Sequence, residues 1–128
     1  MNEIGFNEWM KNYLEPQESE NAGKIKEIFA ENSVYWWGPY SQPRHGLDAI
    51  YEHHRNALSH QKDTKYEFEI LAVTPAYGIA HFTLSLRSLE TGAPNYYEGI
   101  FQVFLDSAGR CTLFKEWYHY SEKPNQPN

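Results

Sequence analysis

Apolar side chains recur at helical spacing in the first half of this chain and at every second position in the second half. Phe6, Trp9, Met10, Tyr13 and Leu14 fall at i, i+3, i+4, i+7 and i+8, one face of a 3.6-residue period, which predicts an amphipathic first helix. Pro16 is expected to end it, because proline disfavours the helical region for the residue before it. A second helix is expected from about Glu20 to Glu31, with Ser19 as its N-cap and Ala22, Ile25, Ile28 and Phe29 as its buried stripe. Ser33-Val34-Tyr35-Trp36-Trp37, stopped by Gly38-Pro39, reads as the first strand, and residues 38–46, with two prolines and two glycines, as a structured connection. A third helix follows from Leu47 to about Ser59, with Leu47, Ile50, Tyr51, His54 and Leu58 along one side.

From Asp63 the period becomes two. Tyr66, Phe68, Ile70 and Ala72 alternate with Lys65, Glu67, Glu69 and Leu71, the signature of a half-buried strand. Ala76-Tyr77-Gly78 is expected to turn the chain into a strand from Ile79 to Ser88, with Ala80, Phe82, Leu84 and Leu86 on one face. After a turn at Thr91-Gly92-Ala93-Pro94 comes a strand from Tyr96 to Leu105 that is apolar on both faces. A hairpin at residues 106–109 then leads to a last strand from Arg110 to Tyr120 and a polar, loose tail over about residues 121–128. Three helices ahead of a long antiparallel meander must pack on one of its faces. The pattern therefore predicts an α+β domain in which three N-terminal helices cover a strongly curved, mainly antiparallel sheet, a cone-like half-barrel around an internal pocket.

Composition narrows the classes. A length of 128 residues suits a single domain over 1–128, and 10 Tyr, 7 Phe and 4 Trp suit a ring-lined hollow. A formal charge of −6 without a basic cluster repels phosphate backbones, so no nucleic-acid partner is expected. No stretch approaches the ~20 apolar residues of a membrane span, no signal-peptide pattern opens the chain, and the single cysteine, Cys111, fits a reducing compartment. A cytoplasmic protein with no membrane partner is the resulting expectation.

Several local stretches carry a resemblance. Phe29-Ala30-Glu31-Asn32-Ser33-Val34-Tyr35 followed by Gly38-Pro39, Gly46-Leu47-Asp48-Ala49-Ile50, and Gly99-Ile100-Phe101-Gln102-Val103-Phe104 ahead of Asp106 and Gly109 stand in an order and spacing similar to the nuclear transport factor 2-like superfamily, within it the SnoaL-like branch. Glu116-Trp117-Tyr118-His119 resembles the ending of bacterial members of unassigned function. The resemblance covers about Phe6 to Tyr120. It implies a cystatin-like α+β cone with a ligand pocket, and a homodimer packed through the outer sheet face, where Ile100, Phe104 and Trp117 need cover. It does not select an activity, because isomerases, dehydratases, cyclases, epoxide hydrolases, transport factors and plain binding domains share this fold.

Candidate chemistry centres on Glu116. By parity Phe114, Glu116 and Tyr118 share one face of the last strand, and epoxide-hydrolase-like members of the superfamily carry a pocket-facing acidic residue near this point. A carboxylate in an aromatic hollow loses hydration, its pKa rises, and it becomes a usable proton-transfer group near neutral pH. The plainer alternative is a solvent-facing Glu116 paired with a lysine. His54, on the apolar stripe of the third helix, can reach the pocket ceiling to donate to an oxyanion or hold Glu116, or it is a satisfied core histidine. Tyr35 is a candidate phenol for orienting a water or a carbonyl, and it completes the catalytic candidates. Trp37, Tyr51, Phe82, Phe114 and Tyr118 are candidate ligand-contacting residues, with simple packing as the alternative for each. His53, His54, His81, Glu98, Glu116 and His119 lack i, i+4 ligand spacing, so no metal is expected. With no glycine-rich phosphate loop and no nucleophile elbow, no cofactor is expected either. The expectation is a pocket for a small, largely apolar organic molecule, with proton-transfer or water-addition chemistry, non-catalytic binding and protein interaction all left open.

Overall fold

The fold is that of a computed structural model, which describes residues 1–124. The expected loose tail lies partly outside the described residues, and the last strand runs one residue into it, to Ser121. The elements are α1 (Glu3–Glu18), α2 (Ile25–Ile28), β1 (Phe29–Trp36), β2 (Arg44–His45), α3 (Leu47–Leu58), β3 (Gln61–Val73), β4 (Tyr77–Ser88), β5 (Pro94–Leu105) and β6 (Cys111–Ser121). Six strands form one sheet in the order β2-β1-β6-β5-β4-β3. All neighbours are antiparallel except β1 and β6, which run parallel. This is the predicted α+β architecture.

Two helix expectations are corrected. Pro16 does not end α1: the helix carries it inside and closes at Glu18. Here the termination comes from Glu20 in the left-handed region at φ 59°, with the Asn21 N–H bonded to the Pro16 carbonyl at 2.8 Å. The second helix is a single turn, and Phe29 to Trp36 are strand. Phe29 pairs with Cys111 and Val34 with Leu113 across an irregular stretch, so pairing with β6 overrides a stripe that reads as helical. One turn is also displaced. Thr74 Oγ1 accepts the N–H groups of Ala76 and Tyr77, leaving Tyr77 and Gly78 inside β4.

The inward face of the sheet is filled with rings. Phe82 stacks on Phe101 at 4.0 Å and nearly parallel, and Phe114 lies 4.9 Å from Phe101. α1 supplies the lid of this core: Phe6, Trp9, Met10, Tyr13 and Leu14 are all buried, and Trp9 Nε1 donates to the Ile28 carbonyl at 3.0 Å. Phe6 lies so close over Gly78 that a Cβ there would meet its ring.

Gly99 sits at the closest approach of β5 to β6. Facing β6, it pairs with Tyr118, and a Cβ on it would collide with the Trp117 carbonyl. Backbone cannot yield as a side-chain tip can. Gly99→Ala is therefore expected to destabilise the fold by about 2 kcal/mol or more in denaturant unfolding, and a loss below half of that would show that β5 and β6 can separate freely here.

Candidate functional site

The site begins where the sheet opens. Parallel pairing of β1 with β6 stops at Trp36 opposite Lys115, and Glu116 is the next residue of β6. Gly38-Pro39 carries the chain away from β6, with the Ser41 N–H and Oγ both bonded to the Gly38 carbonyl, at 3.2 and 2.7 Å. The gap so formed has a volume of about 180 Å³ and is lined by Trp36, Gly38, Pro39, Lys115, Glu116 and Trp117. Beside it, between residues 37–41 and strands β5 and β6, lies a groove of about 810 Å³ that includes Trp37 and Tyr118.

Glu116 borders the gap, but its carboxyl belongs to the inward face, opposite the outer-face Trp36, Lys115 and Trp117, and there polar groups of the sheet and two helices meet. β6 registers Glu116 opposite Phe101 of β5, on the inward face with Phe114. Tyr35 of β1 stacks on Phe114 at 4.8 Å and points its hydroxyl at Glu116 Oε1, 3.4 Å away. The Tyr35 hydroxyl also lies 3.3 Å from that of Tyr13, and the Tyr13 hydroxyl lies 2.9 Å from Nε2 of His54. His54 Nδ1 lies 2.8 Å from the Ile50 carbonyl one turn earlier on α3. The three catalytic candidates are thus brought together, but His54 does not reach Glu116, because two phenols stand between them.

Electrostatics follow from this dry setting. Burial pushes the Glu116 carboxyl up to about 8, against a smaller downward pull from the Tyr35 hydrogen bond. Burial pushes His54 down to about 3, so its ring is neutral at every physiological pH. His53 is also pushed down by burial, to about 4, with Arg44 adding to the effect. Burial raises Tyr13 and Tyr35 well above the usual phenol range, so both remain hydroxyls.

The ligand candidates divide. Tyr118 shares the inward face of β6 and packs 5.5 Å from Tyr97 at the mouth. Trp37 lies between Arg44, 6.0 Å away, and His53, 5.3 Å away, and its buried indole N–H has no acceptor among the described residues. Phe82 and Phe114 are wholly buried and form a packed floor rather than an open wall. Tyr51 is not brought to the cluster: its ring lies under the Lys26 ammonium at 4.3 Å. Two participants escaped the sequence reading. Tyr13 was assigned only to the helix stripe, although a buried tyrosine hydroxyl needs a partner and that need was the available signal. Tyr66, on the inward face of β3, donates to Gln17 Oε1 at 3.4 Å and is raised by burial, with Glu116 adding to the rise.

Elsewhere, His81 bridges Glu98 at 2.8 Å and Glu69 at 3.4 Å on the outer face. Among the described residues no three His, Cys, Asp or Glu side chains gather as metal ligands would, and no helix is long and apolar enough to cross a membrane.

These shifts give the fold a defined pH response. An unfolded glutamate titrates near ~4.3, so between that value and about 8 the folded state holds a proton the unfolded state has lost. The Glu116 contribution is complete below pH ~4.3 and fades as pH rises to about 8. His54 and His53 act oppositely: their contribution is complete above ~6.5 and fades as pH falls toward about 3 and 4. Unfolding free energy is expected to peak near pH ~6.5, and Glu116→Gln should flatten the alkaline side. The stability of that variant relative to the native chain should grow between pH ~5 and 8 by up to about 1.4 kcal/mol per unit. A difference that does not change with pH would mean that Glu116 is hydrated in the fold.

No family model matches the chain, and no curated protein matches it in sequence. Solved structures do match in shape. An epoxide hydrolase/cyclase-like enzyme, SalBIII, with a role in pyran ring formation in the polyether salinomycin, superposes with a TM-score of 0.78 at 13% identity, over 88% of this chain and 89% of that one. A candidate isomerase from Bacillus subtilis gives 0.81 at 19% identity, over 93% and 90% of the two chains. A nuclear transport factor 2-like protein of unknown function from Exiguobacterium gives 0.74 at 14% identity, over 87% and 98%. With the helix-covered, curled six-stranded sheet, these likenesses establish that the chain has the nuclear transport factor 2-like fold.

Proposed function

We propose that this protein binds a small, largely apolar organic molecule bearing an oxygen at the gap beside Glu116, and exchanges a proton with that oxygen. The observation that carries this reading is a buried carboxyl at about 8, hydrogen-bonded by Tyr35 in the ring-filled interior and bordering the gap at the end of β1. A group with that pKa is mostly protonated at pH 7 and readily ionised, which suits it to act first as an acid and then as a base. With an epoxide, Glu116 gives its proton to the oxygen as the C–O bond breaks. The attacking water or hydroxyl forms the new bond to carbon and returns its own proton to the carboxylate. With an enolisable ketone, the same carboxyl exchanges protons at oxygen and carbon. Kinship of shape with an epoxide hydrolase/cyclase-like enzyme and a candidate isomerase supports this choice of reaction classes. The unpartnered Trp37 N–H is a donor suited to a ligand oxygen.

A second reading has its own support. The packed floor of Phe82, Phe101 and Phe114 leaves little depth for a substrate, which favours a domain that binds a ligand or partner without turnover. The outer face offers partly exposed Ile100, Phe104, Trp36 and Trp117, the last 42% exposed, as the contact surface of a homodimer.

Small epoxy-alcohols and β,γ-unsaturated ketones are the probes to use. Glu116→Gln is expected to lower turnover about 10²-fold or more while keeping the ligand-induced rise in Tm; a ligand-induced rise with no turnover in the native protein selects the binding domain instead. For the dimer, Trp117→Glu is expected to convert a two-chain species to a single chain in sedimentation, and a native protein already monomeric at high concentration removes that interface.

A further inference from the structure

We propose that Tyr13 and His54 are positioning residues for the Glu116 proton, joined to it by a one-way chain of hydrogen bonds that is anchored at the Ile50 carbonyl and complete only when Glu116 is protonated. The direction follows from what each atom can do. A carbonyl only accepts, so His54 Nδ1 must carry the hydrogen in its 2.8 Å contact with Ile50. In the neutral ring Nε2 then has only a lone pair, and the Tyr13 hydroxyl, 2.9 Å away, must donate to it. The one Tyr13 proton is now committed, so its oxygen can only accept across the 3.3 Å to Tyr35. Tyr35 has one proton for two acceptors, Tyr13 and Glu116.

If Glu116 carries a proton, every link is filled: carboxyl to Tyr35, Tyr35 to Tyr13, Tyr13 to His54, His54 to Ile50. If Glu116 loses it, Tyr35 turns its proton to the carboxylate, and two buried oxygens 3.3 Å apart are left with no hydrogen between them. Passing each proton one step along the chain instead would leave a carboxylate at one end and an imidazolium at the other, and burial opposes both charges. Among the described residues, the groups facing Glu116 from the surrounding elements offer no cation. They are Tyr13 from α1, Tyr35 from β1, Tyr66 from β3, Tyr97 from β5 and Tyr118 from β6, with the neutral His53 and His54 of α3 packed behind Tyr35, while Lys115 belongs to the opposite face of its strand.

The inference deepens the reading of Glu116 as the proton-exchanging group, yet it is tested without any substrate, so failure to find turnover leaves it standing or falling separately. In the native protein, the imidazole ¹⁵N shifts of His54 should show a protonated Nδ1 and a bare Nε2 from pH ~5 to ~9. A protonated Nε2 would reverse the chain and overturn the proposal. Carboxyl-resolved NMR of Glu116 then separates two variants by sign. Tyr13→Phe frees Tyr35 to serve the carboxylate alone, and should lower the Glu116 titration by about half to one pH unit. Tyr35→Phe removes the donor to the carboxylate, and should raise it. If both variants lower it together, water has entered the site, and if Tyr13→Phe leaves it unchanged, Tyr13 holds nothing; either result sinks the proposal.

Discussion

The parallel pairing of β1 with β6 is the constraint on which the rest depends. It draws Phe29 out of what would have been a helix and into the sheet, and it sets Tyr35 against Phe114. Its end at Trp36 opposite Lys115 matters equally, because the very next residue of β6 is Glu116. Gly38-Pro39 makes the departure sharp: proline offers no N–H to the ladder, and the Ser41 bonds to the Gly38 carbonyl fix the turn beyond it.

Around that opening, aromatic packing does two jobs. Phe82, Phe101 and Phe114 exclude water from the floor, which is what raises Glu116 and depresses His54. The same exclusion makes any unfilled hydrogen bond costly, so the hydroxyls of Tyr13 and Tyr35 and the imidazole of His54 must satisfy one another. α1 is therefore more than a cover. Through Tyr13 it places a hydroxyl between β1 and α3, and through Gln17 it accepts from the Tyr66 phenol of β3.

The outer face follows a different physics. Glu69, His81, Ile100 and Trp117 lie in one cross-strand row, with His81 held between Glu69 and Glu98 beside the apolar Ile100 and Trp117. Charge and apolar surface thus adjoin across the strands, charged on β3 and β4 and apolar on β5 and β6.

Periodicity alone determined the helix stripes of α1 and α3, the four-strand meander, and that Glu116 shares a face with Phe114, because each rests on residues close in sequence and on a fixed geometry of 3.6 or 2 residues per repeat; that this face is the inward one was left open. It misassigned Phe29, whose strand partner Cys111 is remote in the chain, and placed the end of α1 too early, since proline's effect there was offset by a left-handed closure at Glu20. Tyr51 and His54 share one helix stripe, yet the tertiary structure sends one under Lys26 and the other into the polar chain. Which buried hydroxyl meets which acceptor depends on the relative placement of α1, β1, α3 and β6. Only the packed fold decides that, because no local spacing encodes contacts made among four separate elements.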